Sequence, residues 1–366
     1  MSAVSTSAVL WSAFALGLTF GVIGQKTHFC TMGAVSDGVL MGDWGRMRMW
    51  LLAIGVAILG AGGLHAAGLI DLAQSLYRTP RLFWLSALVG GGCFGVGMVL
   101  ASGCAAKSLI RLGGGNLKSL VVLLVLGVVA LITMRGVLGV FRINALEKAF
   151  IFLAEGQDLP ALLMQAGMSP AFAFWLPVLG LGGVLTAWGV GRRHIWSVDH
   201  LLGGLGVGLL VVAAWFVSGH LGYLAEHPDT LSEAFLATNS GRMEALSFVG
   251  PVAYSLDLLM LWSDNSRTMS FGIATALGVV CGAWSWARLN GSFRWEGFVS
   301  AEDTASHLLG AALMGFGGVV AMGCTIGQGI SGLSTLALGS MLTFLAIVTA
   351  AAITLRIQYW RLMRAD

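Results

Sequence analysis

Three cysteines stand where this chain could do chemistry. Cys104 lies in "ASGCAAKSL" (101–109), with Lys107 three residues on and Arg111 seven residues on. Residues i, i+3 and i+7 share a helical face, so a helix here presents a thiol beside two cations. Cys324 lies in "MGCTIGQGISG" (322–332), and its face, with i+4 in place of i+3, carries Gln328 and Ser331. Cys30 lies in "QKTHFCTMGAVSDG" (25–38), among His28, Thr31 and Asp37. Glycines at 103 and 323 let the backbone turn sharply and come close to a ligand. If helices restart after each Gly-Cys, their free N–H groups and positive dipole ends point at whatever sits near the sulfurs, and such a place prefers anions.

The elements that must position these residues are membrane helices. The chain has 366 residues, 57% of them hydrophobic and 10% charged, with 53 glycines, whereas soluble domains carry about a quarter charged residues. Apolar runs near the length needed to cross a bilayer recur throughout. Spans are expected at about 7–24, 48–68, 82–103, 117–135, 171–190, 200–218, 245–262, 269–287, 305–323 and 337–356. The first lacks a basic n-region and a cleavage site, so it reads as a helix rather than a signal peptide. A formal charge of +3, scattered through short loops, gives no reason to expect a nucleic-acid partner. The six prolines fall in connections or near expected helix starts.

Residues 26–42 and the segments after Cys104 and Cys324 are too short to cross and too apolar to lie in water. They are expected to be re-entrant half-helices, which the bilayer permits only where broken backbone faces protein or an aqueous cavity. Setting 94–110 against 314–330 aligns Gly95, Gly97, Val99, Ala101, Gly103, Cys104 and Ile110 with Gly315, Gly317, Val319, Ala321, Gly323, Cys324 and Ile330. The fold class is therefore expected to be an all-α polytopic membrane protein of two pseudo-symmetric, inverted halves whose short helices meet at a central constriction. The first half is placed at 1–135 and the second at 200–366. The connector at 136–199 holds one span and the amphipathic "VFRINALEKAFIFLAE", expected at the membrane interface.

Several residues have plainer roles. Cys93 and Cys281 are read as small apolar packers, and an odd cysteine count in apolar segments does not suggest a disulfide framework. Lys107 and Arg111 are equally well explained by snorkelling on a cytoplasmic face. His28 is read first as a hydrogen-bonded interface residue and second as a proton carrier. No C-x-x-C spacing or methionine pattern points to a metal site, and nothing calls for a cofactor.

The "HFC" segment, the "SGCA" span end and above all "MGCTIGQGISG" resemble the YeeE/YedE family of bacterial inner-membrane proteins, also described as sulfur transport domain proteins. The resemblance implies uptake of thiosulfate through an hourglass-shaped bundle, with Cys30, Cys104 and Cys324 lining the passage. Lys107, Gly103, Gly323, Gln328 and His28 complete the expected binding set. Some members act with a soluble TusA-like sulfur carrier. This chain ends soon after its last span, so such a partner is expected to be separate. Arg356, Arg361 and Arg364 place that tail in the cytoplasm. Related proteins are associated with selenium handling.

Two other classes compete. A membrane sulfurtransferase would hold a persulfide on a cysteine made acidic by Lys107 and a helix N-terminus. A soft-metal transporter would bind a cation, against which the basic residues beside Cys104 count. No G-x-x-x-x-G-K-[ST] motif occurs, so the sequence gives no sign of direct ATP coupling.

Overall fold

The structure is a computed structural model and describes residues 6–191, 197–226 and 231–365. The first half contains α1 (Thr6–Lys26), α2 (Thr31–Ser36), α3 (Gly45–Ala66), α4 (Trp84–Leu100), α5 (Ala105–Gly113) and α6 (Leu117–Arg135). Next come α7 (Val137–Phe141), α8 (Leu159–Gln165) and α9 (Pro170–Val190). The second half contains α10 (Val198–Leu201), α11 (Val207–Phe216), α12 (Val249–Met260), α13 (Phe271–Leu289), α14 (Ala301–Val320) and α15 (Leu338–Ala365). Among the described residues two short antiparallel strand pairs, β1 (Arg81–Leu82) with β2 (Ile151–Phe152) and β3 (Tyr223–Leu224) with β4 (Ala234–Phe235), tie loops together. Among the described residues seven helices are long and apolar enough to cross a bilayer. Helices α13 and α14 have 19 and 20 residues but a more polar make-up.

Glycine governs how these helices meet. In α1 and α13, a Cβ at Gly17 would strike the backbone at Thr275, one at Gly278 that at Phe14, and one at Gly282 that at Leu18. The two helices run parallel in direct backbone contact, the close approach that small residues permit inside membranes. Helices α3 and α11 also run parallel, through Gly208 against Ala53 and Gly60 against Val212. At the centre α4 and α14 cross antiparallel, Gly97 against Gly310 and Gly90 against Gly317. Each then takes a parallel neighbour: α15 lies on α4 through Gly91 and Gly95, and α6 lies on α14 through Gly315 and the Lys118–Asp303 ion pair at 2.7 Å.

The two central helices end in the same way. Ser102 and Met322 are left-handed at φ 55° and 56°. The next N–H, of Gly103 or Gly323, returns to the carbonyl of Met98 or Gly318 at 2.8 Å in both cases. These are Schellman ends, which satisfy carbonyls that would otherwise be orphaned. A third such residue, His28 at φ 53°, follows α1. Each stands two residues before a cysteine, and helix restarts immediately after it.

Three expectations need correction. Residues 245–262 do not form a full span: Phe248 caps α12, which at 12 residues is about 18 Å long and cannot cross alone. The connector segment 140–155 is not one amphipathic helix, because α7 passes into a π-helical turn (Arg142–Leu146) and then into β2, which pairs with β1. Pro177 sits inside α9 rather than at its start.

Candidate functional site

Cys30 caps α2 and Cys104 caps α5. Cys324 precedes a helical segment at 325–334 that widens into a π-helical turn at Gly327–Gly332. The Cys30 sulfur accepts the N–H of Gly33 at 3.4 Å, and the Cys324 sulfur accepts that of Gly327 at 3.4 Å. Cys104 makes no such capping bond, and its thiol lies beside the Thr325 hydroxyl and the Lys107 backbone. All three are buried, at 8%, 2% and 0% exposure. Cys104 lies within electrostatic range of both other sulfurs, so residues nearly 300 positions apart converge on one place. Each helix start there offers unpaired N–H groups and its positive dipole end.

The cation in this cluster is Lys107, which lies within electrostatic range of Cys30, Cys104 and Arg111. Its aliphatic stem crosses Gly103, where a Cβ would stand 3.2 Å from Lys107 Cγ. Gly103 therefore makes room for the lysine stem, while the left-handed turn expected of the glycine is made by Ser102 before it. Gly323 plays the same part for Gln328, 3.1 Å from Cγ. Gln328, however, sends its Nε2 to the Ala321 carbonyl at 2.6 Å, and Ser331 sends its hydroxyl to the Leu246 carbonyl at 2.7 Å. Ser331 is thereby committed to backbone, whereas the Gln328 Oε1 is buried without a hydrogen-bond partner.

Two cavities approach the cysteines from opposite ends of α6 and α14. One, of about 510 Å³, touches Lys118 and Asp303 near the starts of those helices and reaches Ser102, Lys107, Arg111 and His28. Four cations face it against two carboxylates: Lys118 is held by Asp303 at 2.7 Å, while Glu296 accepts from Asn116 at 2.6 Å. Lys107, Arg111 and Arg294 have no carboxylate within ion-pair distance among the described residues. The other cavity, of about 220 Å³, touches Met134 and Val319 at the far ends and is lined by Tyr77, Arg142, Glu244 and Gly323. Burial pushes the Tyr77 phenol up in pKa, and pushes the Glu244 carboxyl up against hydrogen bonds from Ser240 that pull it down.

Besides Thr31, already noted beside Cys30, three further neighbours were not singled out by the sequence: Arg46, Trp50 and Thr325. Arg46 pairs with Asp37 at 2.8 Å, which removes Asp37 from Cys30, and its guanidinium lies over Gly33. Trp50 is stacked between Phe29 and Phe344, at 5.0 and 5.9 Å between ring centroids. Thr31 and Thr325, the first helical residues after Cys30 and Cys324, are 2% and 0% exposed. Their hydroxyls have no hydrogen-bond partner. A visible signal did exist, since "CTMG" (30–33) and "CTIG" (324–327) share a Cys-Thr-x-Gly pattern. Cys93 and Cys281 lie half-buried and exposed, outside the cluster. Among the described residues no group of three His, Cys, Asp or Glu side chains is placed to hold a metal ion.

The chain is similar to curated proteins along most of its length. It is 27% identical over 325 residues to the thiosulfate transporter TsuA of Escherichia coli strain K12, covering 88% of this chain and 87% of that protein. It is 25% identical over 353 residues to the thiosulfate transporter TsuA of Spirochaeta thermophila, covering 91% and 94%. The model of the sulphur transport family matches residues 26–353, and with nearly the whole bundle inside that match the chain belongs to the sulphur transport family.

Proposed function

We propose that this protein is a permease that takes thiosulfate, or a closely similar sulfur anion, across a bacterial cytoplasmic membrane. The observation that carries the reading is the meeting of three helix-capping cysteines between two cavities that open at opposite ends of the bundle. Thiosulfate has a soft terminal sulfur and a double negative charge. The thiols match the first as weak S–H donors. Helix N-termini and Lys107 offset the desolvation of the second, which would be prohibitive in a bare apolar interior. Weak contacts in series let an ion enter and also leave. In this reading no covalent sulfur is held on the protein, and the chain is not an enzyme.

The paired packing supports two inverted halves, 1–135 and 200–366, with 136–199 as connector. Helix α1 on α13 is matched by α3 on α11, and α15 on α4 by α6 on α14, all parallel pairs. Helices α2, α5 and α12 and the segment 325–334 are the short elements that enter and turn back, their starts at the constriction. The end bearing the larger cavity carries Arg46, Arg48, Arg111, Lys118 and Arg294. The C-terminal part of α15, with Ile357 and Arg361, lies there beside Leu100. That balance supports a cytoplasmic location for this end, where a separate TusA-like carrier would collect the cargo.

Uptake of labelled thiosulfate into vesicles, in competition with sulfate, sulfite and selenite, tests the reading. Saturable uptake that is lost in Cys104→Ala and blocked poorly by sulfate is expected; absence of uptake by the wild-type protein refutes it. Mass spectrometry separates the enzyme alternative, because a stable sulfur adduct on Cys104 belongs to a sulfurtransferase.

A further inference from the structure

We infer that Thr31 and Thr325 are specificity-determining residues of the same site, donating their hydroxyls to the oxygen atoms of the transported anion while the cysteines meet its sulfur. This deepens the transport reading above and rests on it. Both side chains are more than nine-tenths buried, and both hydroxyl oxygens lack a hydrogen-bond partner. An unpaired hydroxyl inside a protein is costly unless something fills it. The Thr325 hydroxyl faces the Cys104 thiol without forming a bond of good geometry to it, so it looks into the space the three sulfurs share.

The repetition makes the feature more than local packing. In each Cys-Thr-x-Gly segment the sulfur takes the N–H of the glycine three residues on, at 3.4 Å. That bond fixes the cysteine at the helix start and puts the threonine at the first helical position, where the backbone N–H is also free. One helix start thus presents a soft group and a hard donor side by side, and two such starts meet Cys104. Cys104 is followed by Ala105, so the third start supplies sulfur alone. An anion that carries both oxygens and an exposed sulfur satisfies every group at once. Sulfate leaves the thiols without a match, and sulfide leaves the hydroxyls unpaired.

The test uses the full-length protein and the variants Thr325→Val, Thr31→Val and Thr325→Ser. Valine keeps the shape and removes the hydroxyl; serine restores it. A hydrogen bond to a charged group is worth a factor of roughly 10 to 100 in affinity. Each valine variant should therefore raise the KM for thiosulfate by about that factor, with Thr325→Ser within about threefold of wild type. The ligand-free valine variants should melt no lower than wild type in detergent, because the hydroxyl they lose has no partner, yet gain less stability from added thiosulfate. An unchanged KM in both valine variants overturns the inference, as does an equal loss in Thr325→Ser. If wild-type vesicles fail to accumulate thiosulfate, the transport reading falls on its own. Stabilisation of the wild-type protein by thiosulfate, and its loss or persistence in Thr325→Val, then decides this inference separately.

Discussion

Cys324 carries two duties that substitution can separate. Its sulfur accepts the Gly327 N–H at 3.4 Å and so caps the segment 325–334, while its thiol belongs to the cluster with Cys30 and Cys104. Loss of a helix cap costs about 0.5 to 2 kcal/mol. Sulfur is a weak acceptor, so the lower half of that range applies and Cys324→Ala should cost about 1 kcal/mol. In domains of 150 to 250 residues that loss lowers Tm by about 2 to 4 °C, and the larger bundle should move less, by about 1 to 2 °C. Cys324→Ser keeps a cap, since a hydroxyl oxygen accepts more strongly than sulfur, and should melt within about 1 °C of wild type. Neither variant retains a thiol, so both should lose thiosulfate uptake. Cys104 provides the contrast: it makes no capping bond, and its alanine and serine variants should not differ in stability through a cap. Thermal unfolding in detergent, run beside vesicle uptake on the same preparations, measures both duties. Equal destabilisation by alanine and serine at 324 would refute the capping argument, and wild-type uptake by Cys324→Ser would refute the thiol argument.

Replacing Lys107 by methionine should raise the thiosulfate KM about a hundredfold or more. A unit charge about 6 Å away at an effective dielectric of 20 contributes about 3 kcal/mol per charge; Lys107→Arg should recover part of the loss, and unchanged kinetics would return Lys107 to a packing role. Arg78→Met should destabilise by about 3 to 5 kcal/mol, because Arg78 pairs with the buried Asp158 at 3.3 Å and donates to the Thr335 carbonyl at 2.9 Å. Adding Asp158→Asn should restore part of that, as judged by thermal unfolding. Gly282→Ala should cost about 1 to 3 kcal/mol by pushing α13 off the Leu18 backbone. Gly63→Ala, with nothing near its new methyl, should be neutral or stabilising.

How far the sequence reached depends on which physical signal each feature leaves. Long apolar runs announced α1, α3, α4, α6 and α9 within a few residues, and the start of α15 though not its end at Ala365, because a bilayer imposes a length and tolerates few charges. The same signal failed at 245–262, whose apolar residues are buried at the start, as at Leu246 and Val249, and exposed at the end, from Leu259 to Trp262, without forming a span. A segment that starts at Phe248 and ends at Met260 is as greasy as a span but about half as long. Helical periodicity correctly put Lys107 beside Cys104. It also put Gln328 on the Cys324 face, where the Gln328 N–H returns to the Cys324 carbonyl at 2.7 Å, but periodicity could not show that the side-chain Nε2 turns back to the Ala321 carbonyl.

The alignment of Cys104 with Cys324 was legible because Gly103 and Gly323 each make room for a side chain of the following helix, Lys107 and Gln328. What stayed hidden was the likeness between Cys30 and Cys324, which occupy different places along the two halves yet share Cys-Thr-x-Gly and the same sulfur cap. Topology pairs one set of cysteines and local chemistry pairs another. Cys104 matches Cys324 in its place after a central helix but lacks the threonine and the cap. Cys30 matches Cys324 in cap and hydroxyl but follows an outer helix. The site is therefore symmetric in the backbone that brings helix starts together and asymmetric in the side chains that face the ion. Lys107 stands beside Cys104, where Gln328 stands beside Cys324, and two of the three starts carry a hydroxyl. In the reading proposed above, an ion crossing such a place meets a different neighbour at each step, and paired helix starts with unlike side chains would attract an anion more strongly from one side than from the other.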